Sequence, residues 1–166
     1  MKNEFGGIRL YNKRKAIRPL EFNKPIHLVL QLNERIPAFF NPKDKKLKIL
    51  ILHTAAKYNV QMYHLVLNHT HVHTVIKMKD RGSYVGFIRE ITSKLTLYFS
   101  NQIGIKLKRI FDHRPWSRIV NWGKGFQILC EYMSKNERES GTFQVIPKKT
   151  SYDQKQLRFR FCEQVN

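Results

Sequence analysis

Two histidines two positions apart, His71 and His73, are the side chains of this sequence best spaced for metal chemistry. They stand in Asn68-His69-Thr70-His71-Val72-His73-Thr74-Val75-Ile76, within a stretch from 61 to 78 rich in Val, Ile, Tyr and Thr. That composition predicts strand, with a bend near 68–70. Side chains two apart on a strand point to one face, so His71 and His73 project together and Val72 points into the opposite layer. Two imidazoles so placed are a candidate metal pair. A polar strand face with solvated or hydrogen-bonded histidines has the same spacing, and His-x-His alone does not separate the two. His69-Thr70-His71 is a second His-x-His with the more polar middle residue, and the role of His69 stays open.

About sixty residues later come Tyr132 and, four positions on, Asn136. Residues at i and i+4 share one helix face, so a phenol and an amide oxygen can address one site together. A phenol, with a reference pKa of about 10, is a poor nucleophile until a metal polarises its target or a base favours the phenolate. Taken singly, Tyr132 is also an ordinary helix tyrosine and Asn136 a helix cap.

The chain has 166 residues, enough for one domain with a real core. Apolar residues make up 42% and aromatics 12%, which excludes a disordered polypeptide. Lysine and arginine number 31 against 12 acidic residues, and the +19 excess runs along the whole chain. This predicts attraction to a polyanion, most often nucleic acid, although a merely soluble basic protein shares the balance. The cysteines, Cys130 and Cys162, form no Cys-x-x-Cys pair; this argues against a thiolate zinc site and reads as two small reduced hydrophobes. An apolar secretory core is missing from the N-terminus, and no run approaches the ~20 apolar residues of a membrane span, so a cytoplasmic protein is expected.

The elements that must position these residues follow from periodicity. Residues 1–23 read as an irregular basic arm, 24–141 as the functional domain and 142–166 as a C-terminal extension. A first strand is predicted over 25–33. A helix capped by Asn41 or Asp44 then buries Leu47, Leu50, Ile51, Thr54, Ala55 and Tyr58. Strands over 61–67 and 71–78 follow. A second helix over 84–102 is capped by Ser83 and ended by Gly104. Short strands are expected near 110–111 and over 116–120, and a third helix over 126–136 after Gly123-Lys124-Gly125. A short amphipathic strand is expected over 156–161. The order is the split ferredoxin-like pattern: an α+β fold, an antiparallel sheet with helices on one face.

The motifs then resemble a known family. Thr70-His71-Val72-His73, followed by Lys77-Met78-Lys79-Asp80-Arg81, resembles the HUH motif (histidine, bulky hydrophobe, histidine) of the REP-associated single-tyrosine transposases, within the IS200-like superfamily. The stretch Phe111-Asp112-His113-Arg114-Pro115-Trp116-Ser117-Arg118-Ile119-Val120-Asn121-Trp122-Gly123 resembles their segment before the catalytic helix, and Tyr132-Met133-Ser134-Lys135-Asn136 their Tyr-x-x-x-Asn motif. The likeness spans about 20–141. It implies an HUH endonuclease fold in which His71, His73 and Asn136 hold one divalent metal, magnesium or manganese. It also implies that Tyr132 attacks single-stranded, hairpin-containing DNA to form a 5′-phosphotyrosine that a 3′-hydroxyl later reverses. Two departures concern fine positioning: Thr70 stands where the family usually has Asn, and Glu137 where proline often follows the asparagine.

Less specific signals accompany the motif. Arg81, Arg114, Arg118 and Lys124, with Arg89 and Lys94, are candidate phosphate contacts, or else a solvated basic face. Trp116 or Trp122 is a candidate base-stacking platform, or else core. The expected function is DNA strand transfer by a monomer or homodimer away from membranes. A non-catalytic, domesticated nucleic-acid-binding protein is the alternative. A rolling-circle initiator or relaxase shares the metal chemistry but ordinarily carries further domains. The set His71, His73, Tyr132 and Asn136 separates enzyme from binder, because a pure binder does not need it.

Overall fold

The computed structural model describes residues 4–10, 16–33, 40–111 and 113–140. In chain order these form β1 (Glu4–Phe5), a 3-10 turn (Gly7–Leu10), β2 (Ile26–Gln31), α1 (Lys45–Lys57), β3 (Gln61–Leu67), β4 (His71–Lys77), α2 (Arg81–Ile103), β5 (Trp116–Ile119) and α3 (Lys124–Glu139). The five strands make one antiparallel sheet in the order β1-β5-β2-β4-β3. The ferredoxin-like α+β expectation holds.

The register decides what each face carries. On β2, Ile26, Leu28 and Leu30 lie opposite Ile76, Thr74 and Val72 of β4. Their apolar members join one core with Leu47 and Ile51 of α1 and Phe87, Ile91, Leu95 and Phe99 of α2. The alternate residues, His27 and Val29, lie opposite Val75 and His73. Val75 belongs to a second, smaller cluster with Tyr63, Val66, Val120, Leu129 and Met133, the last two from α3. The helices therefore do not share one face, as the sequence suggested. α1 and α2 cover one side of the sheet, and α3 lies across the histidine side.

Several boundaries move for local reasons. α2 begins three residues before its expected start because the Asp80 carboxylate, not Ser83, is the cap: it accepts from the Ser83 N–H at 2.7 Å. Asp44 caps α1 by accepting from the Leu47 N–H at 3.0 Å. The strand expected at 110–111 is absent; Ile110 is fully buried and its carbonyl accepts one bond from the Asn33 N–H at 2.8 Å. The basic arm is not wholly irregular. Glu4 and Phe5 pair with Arg118 and Ser117, and the buried Arg18 guanidinium ties this corner by donating to Ser117 Oγ and, at 2.6 Å, to the Pro115 carbonyl. Cys130 is buried in α3 but disulfide-bonded, not a free thiol. No helix among the described residues is long and apolar enough to cross a membrane. The strand expected at 156–161 lies outside the described residues.

Candidate active site

Chain geometry alone brings His71 and His73 together. Both stand on β4, two residues apart, and their rings lie 4.5 Å apart at 76°. His73 is buried and His71 half-buried. His69 lies in the β3–β4 turn with its side chain exposed; its carbonyl accepts from the Phe40 N–H at 2.9 Å and so fixes the loop. The strand pair is thus His71 and His73.

α3 supplies the phenol. Leu129 and Met133, one turn apart, are buried against the sheet and anchor the helix. Their positions hold Tyr132 on the shoulder of the buried stripe, 45% exposed, with its ring 5.9 Å from that of His73. The nucleophile candidate and the histidine pair are thereby juxtaposed. Asn136 follows on the same helix, half-buried, and its amide Nδ2 donates to the Tyr132 carbonyl at 2.8 Å. Its described hydrogen bond is therefore within α3, not to either histidine.

A third imidazole, given no role by the sequence reading, completes the cluster. His27 on β2 is 4% exposed, and its Nε2 lies 3.1 Å from His73 Nδ1. Its ring also meets Trp116 edge-on at 5.2 Å and Tyr132 at 5.9 Å. The available signal was a lone imidazole inside the apolar run Ile-His-Leu-Val-Leu. Burial holds His27 near pKa 3 and His73 near 4, with His73 depressing His27 further and His71 depressing His73. His71 is lowered by burial alone. Neutral imidazole is the form that ligates metal.

The polar inventory tests whether a cation fits. His73 Nε2 and Asn68 Oδ1 are buried without a hydrogen-bond partner. Such orphans are rare, and a bound ion is one of their ordinary explanations. Asn68 Nδ2 stands 3.1 Å from His71 Nε2, and Thr70 Oγ1 stands 2.9 Å from His71 Nδ1. No three His, Cys, Asp or Glu side chains among the described residues form a metal site. His27 lies behind His73 on its Nδ1 side, so it is not a third ligand on the Nε2 side. These donors would fit a divalent ion held by the two imidazoles and an amide oxygen, either the unpartnered Asn68 Oδ1 or that of Asn136 on α3.

The cationic candidates divide. Arg118 pairs with His27 across β5 and β2, beside the histidines. Arg81 is exposed at the start of α2 and donates to the Arg18 carbonyl at 3.0 Å. Arg114 is half-buried near Arg18, and the Gly7 N–H donates to its carbonyl at 2.9 Å. Lys124 is exposed at the first turn of α3. Trp116 is half-buried against His27, whereas Trp122 is 45% exposed, packs on Tyr63 and Phe126, and donates to the Asn23 carbonyl at 2.7 Å.

Comparison with known proteins agrees with this architecture. A solved structure described as a REP-associated tyrosine transposase bound to a REP hairpin is similar in fold, with a TM-score of 0.58 and 18% identity. The alignment covers 78% of this chain and 76% of that one. No curated protein matches the sequence. The family model for IS200-like transposases matches residues 21–126, a span that includes both β4 histidines and ends before Tyr132. With more than half of its length matched, the chain belongs to the IS200-like transposase family.

Proposed function

We propose that this protein is a metal-dependent transposase that cuts and rejoins single-stranded DNA through a 5′-phosphotyrosine on Tyr132. The observation that carries the reading is the placement of the Tyr132 ring 5.9 Å from His73, whose Nε2 is buried without a partner. A divalent ion held by His71, His73 and an amide oxygen, Asn136 in the family pattern, would polarise the scissile phosphate. Tyr132 supplies the nucleophile: its Oη–P bond forms as the P–O3′ bond breaks, the phenol loses its proton, and the departing 3′ oxygen gains one. α3 fixes the phenol's approach through Leu129 and Met133. Arg118 beside the site, and Arg81, Arg114 and Lys124 beyond it, supply phosphate contacts that position the strand. Reversal by another 3′-hydroxyl rejoins strands without an external energy source. The similar structure is bound to a REP hairpin, which supports hairpin DNA as the substrate.

Two observations favour a second reading, a DNA-binding protein without chemistry. The Asn136 amide donates to its own helix, and the family match stops short of α3. One experiment separates the two. The protein is incubated with manganese and labelled single-stranded hairpin DNA taken from the flanks of its own gene, then run on a denaturing gel. A covalent adduct is expected with the wild type and none with Tyr132→Phe, which keeps the ring and the fold. An adduct from the phenylalanine variant would move the nucleophile elsewhere. Hairpin binding without any wild-type adduct would favour the binder.

A further inference from the structure

We infer that His27 is a positioning residue that sets the tautomer of His73 and so presents its Nε2 lone pair to the cation. This rests on the metal reading above but concerns a residue outside the metal shell. Two nitrogens 3.1 Å apart, His27 Nε2 and His73 Nδ1, need one proton between them. If His27 holds that proton, His73 carries its own on Nε2 and cannot ligate. If His73 holds it on Nδ1, its Nε2 is a bare lone pair. That atom is the buried one without a partner, beside His71. The second arrangement is therefore the ligating one, and His27 supports it by accepting. Metal-bound histidines ordinarily donate their other N–H to a fixed acceptor, which holds both tautomer and ring orientation. A carboxylate or carbonyl usually plays that part; here a neutral imidazole does.

The position of His27 suits the task. It lies on the central strand β2, is 4% exposed, and is braced edge-on by Trp116 at 5.2 Å. Register pairs it with Val75 and Arg118, so the strand cannot slip to bring another acceptor behind His73 without turning its side chains over. Thr70 Oγ1, 2.9 Å from His71 Nδ1, is placed to do the same for the other imidazole. The two Nδ1 atoms are then both held from behind.

The test has two arms. Nitrogen-15 NMR of the metal-free wild type, with His73 assigned through His73→Asn, should find His73 protonated on Nδ1. In His27→Leu that preference should be lost. Manganese titration of the same proteins should then show affinity falling about 10–100-fold in His27→Leu. His27→Gln, whose Oε1 can accept, should recover most of it, and hairpin binding in chelator should be unchanged in both. His73 protonated on Nε2 in the wild type, or His27→Leu binding manganese as the wild type does, would overturn the inference. If His73→Ala leaves manganese affinity unaltered, the metal reading itself fails, while the NMR arm still decides whether His27 sets the tautomer. Should His27→Leu not fold, the wild-type tautomer and the His27→Gln titration decide.

Discussion

The two faces of this sheet are built from the same five strands and differ in almost everything else. Toward α1 and α2 the strands present Ile26, Leu28, Leu30, Val72 and Ile76 to a core that includes Phe40, Phe87, Ile91 and Phe99, all buried. Toward α3 the same strands present His27, His71, His73 and Arg118, and the apolar cluster shrinks to Tyr63, Val66, Val75, Val120, Leu129 and Met133. Burial on the first face supplies most of the hydrophobic driving force. The second face buries imidazoles that must stay neutral and keeps Tyr132 half in solvent. One face can thus hold the strands rigid while the other gives its area to the candidate site.

Breaking the first face should cost the most stability and the least chemistry. Phe87 is fully buried in α2, so Phe87→Ala should lower unfolding free energy by about 3–5 kcal/mol in a denaturant titration. The adduct formed per folded molecule should stay near wild type. A loss of adduct out of proportion to stability would mean that the two faces are coupled and the comparison is wrong. Met133→Ala tests the other side. It removes an anchor of α3 from a smaller cluster that can partly collapse, so the stability cost should sit near about 2 kcal/mol. Tyr132 lies next to it in the chain, and adduct formation should fall further than that loss explains. An unchanged adduct yield would show that α3 is held in place by other contacts.

This asymmetry also sets how much could be read from the sequence. The helices and the four long strands follow from periodicity, because each buries a stripe or an alternating row, α1 and α2 against the larger core and α3 against the smaller cluster. The His71, His73 and Tyr132 juxtaposition was legible through spacing and the family likeness. Three features were not. β1 is two residues long and pairs with Arg118 and Ser117, over a hundred positions away, so no local pattern announces it. The side on which α3 packs is a property of topology: its buried stripe of Leu129, Cys130, Met133 and Glu137 is visible, but not what it faces. His27 looked like one polar residue in an apolar strand. Its partner is 46 residues away and is chosen by register alone.

Arg118 sharpens the electrostatic side of the comparison. With a net charge of +19, DNA affinity should fall steeply with salt, and each phosphate contact to a single strand contributes about −0.7 to the log–log slope. Arg118→Ala should make the slope shallower by about that amount and weaken binding similarly for different sequences. Lys57→Ala, on the α1 and α2 side where Lys57 is already paired with Glu90, should leave the slope unchanged. Equal effects from both would mean that the DNA does not choose between the faces.

The smallest effect is expected at Thr70, and it bears on what burial contributes within the histidine face itself. Thr70 Oγ1 and His27 Nε2 stand in equivalent places, each about 3 Å from the Nδ1 of one β4 histidine. Thr70 is exposed, whereas His27 is buried. Thr70→Val keeps the side-chain shape and deletes the oxygen, but water can then reach His71 Nδ1 and accept its proton instead. The net loss is that of one solvent-exchangeable hydrogen bond, about 0.5–1.5 kcal/mol, or roughly 2–10-fold in manganese affinity. His27→Leu leaves no such substitute, because a buried nitrogen without its partner keeps the full desolvation penalty. Titrating manganese into both variants under one set of conditions therefore compares the same hydrogen bond with and without water at hand. If Thr70→Val proves as damaging as His27→Leu, solvent does not replace the threonine, and the tautomer of His71 is held as rigidly as that of His73.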